Sequence, residues 1–227
     1  MTDATGDAPL APVQGRAFGA AVPAAVLDRI QAGTMRTVYR GVPFFKSPFD
    51  IGLYLQLLSR LAPRTVIEVG TKFGGSALWF ADMLTAQGLD ARVLSIDIQR
   101  ETKVSDPRID FLQGDANRLG DVLSPELLAQ CPRPWLVIED SSHYYRETAA
   151  VLDFFHAQLQ PGDYIVVEDG VVAELPADVY RRYDNGPNRA IADFLAGHGD
   201  AYVIDADLCD HYGYNATYNP NGWLRRV

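Results

Sequence analysis

The stretch Arg64–Ser76, RTVIEVGTKFGGS, constrains the fold more than any other part of the chain. Its first half is a short β-branched run interrupted only by Glu68, which is typical of a buried strand. Glycines follow at once, and residues 77–84 then have helical spacing and good helix formers. A strand, a glycine turn and a helix in this order make the first unit of a nucleotide-binding α/β fold.

The spacing of this glycine turn differs from the dinucleotide-binding fingerprint. Glycine lets a ligand approach the main chain closely, and the N-terminus of the next helix offers free N–H groups. The pattern is Glu68-x-Gly70-x-x-x-Gly74 rather than Gly-x-Gly-x-x-Gly. This form resembles the first motif of class I S-adenosylmethionine (SAM) methyltransferases. The alternative is an ordinary glycine-rich turn between a strand and a helix.

Length and composition describe one globular domain with an N-terminal addition. The 227 residues are 48% hydrophobic and 22% charged. We expect a flexible tail over residues 1–20, a helical arm or lid over 21–62 and a SAM-binding domain over 63–227. The net charge of −9 argues against nucleic acid as a partner. Two cysteines, no long apolar run and no leader pattern predict a cytoplasmic protein that does not enter a membrane.

Two further strand ends supply candidate cofactor contacts. Residues 92–97 are predicted to form the second strand, and Asp97 stands at its carboxyl end. An acid at this place accepts hydrogen bonds from a ribose diol, although a capping aspartate is the simpler alternative. Residues 109–113 are predicted to form the third strand, which ends in Gly114 and Asp115. We expect Asp115 to accept from an adenine amino group, and a simple turn explains Gly-Asp equally well.

Paired acids end the next two predicted strands. Asp140 follows the apolar run of the fourth strand, and Glu168 and Asp169 follow that of the fifth. In an open α/β sheet these ends meet at the ligand crevice. Carboxylates gathered there repel one another unless a cation lies among them, and oxygen ligands suit magnesium or calcium. The alternative is a set of acids that cap helices or face water.

His143, three residues after Asp140, is a candidate general base. A divalent cation acts as a Lewis acid on a bound hydroxyl, and an imidazole with a pKa near 6.5 accepts a proton at neutral pH. We therefore expect Asp140 and His143 to serve catalysis on an acceptor hydroxyl, with Asp140 also lying against the cofactor. A loop or helix-capping histidine is the alternative.

Several motifs, in order, resemble the cephalosporin hydroxylase family, whose members have a class I SAM methyltransferase fold. The resemblance covers residues 36–227 and is carried by RTVIEVGTKFGGSALWFADML, VLSIDIQ, PRIDFLQGD, LVIEDSSHYY, LQPGDYIVVEDGVV, GPNRAIADFL and TYNPNGWLRRV. It implies cofactor contacts from the first strand, the glycine turn and the end of the second strand: Glu68, Gly70, Thr71, Ser76 and Asp97. It also implies self-association.

The same resemblance implies a magnesium site. In that family the ion is held by an acid after the fourth strand and a Glu-Asp pair after the fifth, and these positions match Asp140, Glu168 and Asp169. The site is also similar to that of catechol O-methyltransferase, where an acid is followed three residues later by a lysine base. Here His143 takes that place, and Gly170 stands where that enzyme has an asparagine ligand.

We therefore predict an α/β domain of the class I methyltransferase type, with a seven-stranded, mostly parallel sheet and an antiparallel C-terminal hairpin. The closing strands are expected at 202–205, 215–218 and 223–226. Residues 171–185 are a candidate acceptor-binding loop or lid, and a solvated loop is the simpler alternative. The predicted reaction is SAM-dependent, magnesium-assisted O-methylation of a small-molecule hydroxyl or carboxylate in secondary metabolism. The alternatives are an oxygenase acting on a β-lactam-like metabolite and a non-catalytic SAM-binding subunit.

Overall fold

A computed structural model describes residues 10–227. Its helices are α1 (Ala24–Thr34), α2 (Pro48–Leu61), α3 (Gly75–Ala86), α4 (Pro125–Ala129), α5 (Tyr145–His156), α6 (Gly186–His198) and α7 (Ala206–Cys209). Its strands are β1 (Val38–Tyr39), β2 (Val42–Pro43), β3 (Thr65–Val69), β4 (Arg92–Asp97), β5 (Ile109–Gln113), β6 (Trp135–Glu139), β7 (Tyr164–Val167), β8 (Tyr202–Ile204) and β9 (Trp223–Arg226). Short 3₁₀ helices lie at Ala116–Asp121, Gly170–Ala173 and Asp178–Tyr183.

One seven-stranded sheet organises the domain, in the order β5-β4-β3-β6-β7-β9-β8. Strands β3 to β7 pair in parallel, and β9 lies antiparallel between β7 and β8. Strands β3, β6 and β7 are buried along their whole length, as their predominantly apolar sequences predict. The predicted fold class is confirmed. The strands that follow β3 in the chain, β4 and β5, lie on one side of it, and β6 and β7 lie on the other. This reversal of strand order places a ligand crevice at the carboxyl ends of β3 and its neighbours.

The predicted closing strand at 215–218 is wrong. This segment is a buried, turn-rich loop, because Asn215 and Asn221 adopt left-handed φ values of 48° and 54°. Its polar groups bond to side chains rather than to a neighbouring strand: the Thr217 hydroxyl donates to Asp50, and the Tyr218 amide donates to the same carboxylate at 3.2 Å. The two strands that do close the sheet are β8 and β9.

The N-terminal segment runs over the outer strands of the sheet before α1 begins. Residues 1–9, part of the predicted tail, lie outside the described residues. Residues 10–20 make specific contacts: Arg16 pairs with Asp210 at 2.6 Å, and the Gln14 side chain bonds to the backbone of both Tyr202 and Ile204. Gln14 thereby satisfies polar groups of the edge strand β8. No helix within residues 10–227 has the length and apolar character needed to cross a bilayer.

The predicted arm, residues 21–62, contains α1, the β1–β2 hairpin and α2. Helix α2 begins where its sequence indicates, because Ser47 accepts a hydrogen bond from the Asp50 amide at 3.1 Å and Pro48 occupies the first turn. This cap fixes the backbone next to Lys46. The Lys46 side chain points toward the sheet, where it reaches Asp140 and Glu168, and the residue is only 4% exposed.

Candidate active site

A cavity of about 540 Å³ opens at the carboxyl ends of β3, β6 and β7. It is lined by seven of the residues predicted for the site: Gly70, Thr71, Ser76, Asp97, Asp140, His143 and Asp169. Four others lie outside its walls: Glu68, Gly114, Asp115 and Glu168. The sheet topology therefore gathers most of the predicted site in one place.

In the glycine turn after β3, the backbone lies in close contact with the backbone of two other segments of the chain. Gly70 has φ +115°, and a Cβ there would lie 1.8 Å from the backbone oxygen of Asp140. Gly75 opens α3, and a Cβ there would lie 2.1 Å from the oxygen of Pro43. Side chains at these places would push apart β3, β6 and the hairpin, so glycine is required by close approach as well as by conformation. The result is a backbone wall for the cavity.

Asp97 lies at the end of β4, next to the glycine turn, and lines the same cavity. Its carboxylate accepts hydrogen bonds from the Lys72 amide at 2.8 Å and from the Gln99 amide at 3.1 Å. These amides fix its direction, and each carboxylate oxygen keeps a lone pair for a further donor. Asp97 therefore has the place and the acceptor capacity that a ribose diol requires.

Glu68 lies behind the turn rather than in the cavity. It is fully buried in β3 and accepts a hydrogen bond from the Ser95 hydroxyl at 2.5 Å. Burial raises its pKa. Ser95 in turn lies 2.7 Å from the Thr71 hydroxyl, and Thr71 lines the cavity. Glu68 thus acts on the glycine turn through two hydroxyl groups.

Gly114 and Asp115 end β5 outside the cavity walls. Asp115 accepts a hydrogen bond from the Asn117 amide at 2.8 Å and caps the following 3₁₀ helix, and that hydrogen bond lowers its pKa. A Cβ on Gly114 would meet Val122 at 2.6 Å. Turn geometry and packing account for both residues in this structure.

Asp140, His143 and Asp169 converge at the other end of the cavity. One ligand atom from each lies within 4.8 Å of the others, and His143 Nε2 is 3.4 Å from Asp169 Oδ2. His143 and Asp169 reach this position with left-handed φ values of 63° and 60°, which turn the chain sharply after β6 and β7. Among the residues that the structure describes, this is the one such group of three potential metal ligands.

Glu168 faces away from this group and is held by two residues that the sequence patterns did not single out. The Tyr54 hydroxyl donates to its Oε1 at 2.5 Å, and Lys46 Nζ donates to its Oε2 at 2.5 Å. Lys46 Nζ also lies 2.5 Å from Asp140 Oδ2. Burial disfavours the charged lysine, but the two carboxylates outweigh it and raise the pKa of Lys46. Burial raises the pKa of Glu168.

The donor set fits a hard divalent cation. Asp140 and Asp169 offer carboxylate oxygens on the cavity side, which are the ligands that Mg²⁺ and Ca²⁺ prefer, and water fills their remaining positions. Glu168, the third predicted ligand, is joined to Asp140 through Lys46 and is only 5% exposed. A cation in contact with all three acids would have to share Glu168 and Asp140 with the lysine.

Part of the segment after β7 lines the cavity. Its 3₁₀ helix Asp178–Tyr183 places Tyr180, Arg182 and Tyr183 among the lining residues. The Tyr183 ring stands edge-on to His143 with the ring centroids 5.3 Å apart. An acceptor that enters here meets aromatic faces beside the candidate base.

The oxygenase alternative needs a different ligand set. A non-haem iron site uses two histidines and one carboxylate. His156 and His198 stack on each other with centroids 3.9 Å apart, on the faces of α5 and α6, and His211 follows α7. Only His143 of the four histidines lies with the acids of the cavity.

Comparison with known proteins agrees with this geometry. A family model described as rhamnosyl O-methyltransferase/CmcI matches residues 32–227. Rhamnosyl O-methyltransferase of Mycobacterium tuberculosis is 31% identical over 198 residues, which cover 84% of this chain and 78% of that protein.

Two solved structures of CmcI share the fold. An apo structure is 26% identical with a TM-score of 0.65, and a structure with Mg and SAM is 25% identical with a TM-score of 0.64. Each match covers 85% of this chain and 77% of the other. The predicted resemblance is confirmed, and the chain belongs to the rhamnosyl O-methyltransferase/CmcI family of O-methyltransferases.

Proposed function

We propose that this protein transfers a methyl group from SAM to a hydroxyl of a small molecule with the help of Mg²⁺. The observation that carries the proposal is the convergence of Asp140, His143 and Asp169 within 4.8 Å beside a glycine-walled cavity. This arrangement supplies a cofactor cradle, a cation site and a base in one crevice. The family's O-methyltransferase description and the CmcI structure with Mg and SAM support it.

The cofactor side is formed by the turn after β3 and by Asp97. In this proposal Gly70 and Thr71 give the backbone wall, Ser76 stands at the start of α3, and Asp97 accepts from the ribose hydroxyls. Glu68 supports Thr71 through Ser95 instead of contacting the cofactor. Gly114 and Asp115 remain proposed neighbours of the adenine, at the end of the adjacent strand β5.

On the acceptor side, Mg²⁺ would supply positive charge that stabilises the acceptor oxygen as its proton leaves. Asp140 and Asp169 would hold the ion, with Glu168 as the third acid of the set. His143 accepts the proton in this proposal, because its ring faces the same space and lies 3.4 Å from Asp169. Asp169 then stabilises the protonated ring.

We further propose a sugar hydroxyl as the acceptor. The M. tuberculosis relative is a rhamnosyl O-methyltransferase. The cavity beside His143 is lined by Tyr180 and Tyr183, whose aromatic faces suit the C–H faces of a sugar ring. A hydroxyl on a deoxysugar is therefore the first acceptor to test.

The test is methyl transfer to a panel of rhamnosides and other small glycosides, followed by mass spectrometry. We expect a product that carries one added methyl group, dependent on Mg²⁺ and lost in Asp140→Asn and Asp169→Asn. The exposed Asp207→Asn, on α7, is the matched control and should keep full activity. Equal turnover with and without a chelator would exclude the metal from the reaction.

We also propose self-association, as the sequence predicts. Apolar side chains remain exposed on the hairpin and the C-terminal loop, with Val38 59%, Tyr212 51% and Tyr214 40% exposed. Light scattering behind size exclusion measures the mass directly. A mass of about 25 kDa at all concentrations would contradict this proposal.

A further inference from the structure

Within the part of the chain that the structure describes, Lys46 is the one cation buried among the acids of the candidate metal site. Its side chain is 3% exposed, and its Nζ lies 2.5 Å from Asp140 Oδ2 and 2.5 Å from Glu168 Oε2. The Ser47 cap at the start of α2 fixes the backbone on its C-terminal side. Lys46 also lines the cavity, so its ammonium group stands at the boundary between the cavity and the buried Glu168.

The charges of this cluster suit a divalent ion only when the lysine is counted. Asp140, Glu168 and Asp169 carry three negative charges when ionised, and Lys46 carries one positive charge. The sum is −3 + 1 = −2, which one divalent cation neutralises. Without Lys46, no cation among residues 10–227 would lie between the carboxylates of Asp140 and Glu168.

The lysine and the metal must use the same carboxylates. A cation that reaches Asp140 and Glu168 meets an ammonium group already bonded to one oxygen of each. Two cations that share a carboxylate repel each other strongly in a buried site. The presence of Lys46 should therefore weaken metal binding, while it keeps the acids assembled when the metal has left.

We propose that Lys46 is a built-in counter-cation that competes with the metal for Asp140 and Glu168 and so sets the affinity of the site for the metal. It is a positioning residue, because it acts through the acids and not on the acceptor. This inference rests on the proposed metal-assisted function, and it assigns a role to a residue outside the predicted ligand set.

The first test measures Mn²⁺ binding by the electron paramagnetic resonance signal of the free ion. Lys46→Met keeps the length of the side chain and removes its charge, and we expect it to bind Mn²⁺ at least about tenfold more tightly than the wild type. Lys46→Arg keeps the charge and should bind within about threefold of the wild type. Lys103→Met is the matched control, because Lys103 is exposed and does not line the cavity.

The second test follows the wild-type chain itself, and folded variants are needed only to assign its signals. The chain has three lysines, Lys46, Lys72 and Lys103. With ¹³C at the lysine ε-carbon they give three resonances, which the variants assign. Addition of Mg²⁺ should shift the Lys46 signal at the concentration at which the metal binds, and the Lys103 signal should not move.

The outcomes separate this inference from the proposed function. Tighter binding by Lys46→Met together with a metal-dependent Lys46 shift supports the inference. Equal or weaker binding by a folded Lys46→Met, or a Lys46 signal that is indifferent to bound Mg²⁺, overturns it and leaves the metal site standing. If the wild type binds no Mn²⁺ and only Lys46→Met does, the competition is supported and metal-assisted catalysis is excluded. If neither binds, both fail.

Discussion

Removal of the Tyr54 hydroxyl perturbs the buried carboxyl group of Glu168 without changing a residue that lines the cavity. Tyr54 is fully buried in α2, and its hydroxyl donates to Glu168 Oε1 at 2.5 Å. Its ring packs edge-on to Phe80 at 5.0 Å and against Trp223 at 4.9 Å. Tyr54→Phe keeps these ring contacts and removes only the donor. The loss is therefore that of one hydrogen bond to a buried carboxyl group.

A hydrogen bond to a charged group contributes about 1.5–3 kcal/mol, so we expect Tyr54→Phe to lower the free energy of unfolding by this amount. For a domain of this size the melting temperature should fall by roughly 3–12 °C. Urea unfolding followed by tryptophan fluorescence measures it, since Trp223 and Trp79 lie beside Tyr54. The midpoint should fall while the slope of the transition stays constant.

Tyr164→Phe is the matched control. Tyr164 is equally buried and its hydroxyl donates to Asp205, but this hydrogen bond is longer, at 3.1 Å, and Asp205 is only half-buried. We expect a smaller loss of about 1 kcal/mol. A Tyr54→Phe variant as stable as the wild type, or no less stable than Tyr164→Phe, would refute the view that Tyr54 supports a buried charge.

Three further substitutions test the site and the core. Asp97→Asn should weaken binding of S-adenosylhomocysteine about tenfold in a calorimetric titration, since a charged acceptor for the ribose is lost; unchanged affinity would remove Asp97 from the cofactor site. His143→Gln should lower turnover about 10²-fold or more while Mg²⁺ and S-adenosylhomocysteine still bind; turnover equal to that of the wild type would exclude His143 as the base. Burial raises the pKa of Asp50 from 3.8 to about 7, so its contribution to stability is present at low pH and is lost as the pH rises from about 4 through about 7. Asp50→Asn places an amide against the Thr217 hydroxyl and should destabilise, but by less at pH 8 than at pH 5; a constant difference in unfolding free energy would contradict the raised pKa.

The parts of the fold that could be predicted are those that depend on the hydrophobic pattern of a short, continuous segment. Strands β3, β6 and β7 are predominantly apolar runs, and the rule that parallel strands share a carboxyl edge places Gly70, Asp140 and Asp169 together. The predicted strand at 215–218 failed for a different reason. Its side chains alternate, but Asn215, at its start, has a left-handed φ that turns the backbone away from the sheet.

The parts of the site that could not be predicted depend on contacts between distant segments. Lys46 and Asp140 are 94 residues apart, and Tyr54 and Glu168 are 114 apart. A lysine in an irregular aromatic segment gives no periodicity to interpret, and only its position before a helix cap limits where it points. Glu68 was misplaced for the same reason. Its motif associates it with the cofactor, but in the structure it lies behind the glycine turn and accepts a hydrogen bond from Ser95. Its buried place in the middle of β3 was visible in the sequence, but its hydroxyl partner on β4 was not.

Calorimetric titration of the purified chain with S-adenosylhomocysteine and Mg²⁺ tests the central claim most directly. We expect each ligand to bind, and the Mg²⁺ isotherm to disappear in Asp169→Asn while S-adenosylhomocysteine still binds. Such a result would place the metal on the acids after β6 and β7, and the cofactor beside the glycine turn. Absence of S-adenosylhomocysteine binding, or an Mg²⁺ isotherm unchanged by Asp169→Asn, would contradict the account of this cavity as a metal-assisted methyltransferase site.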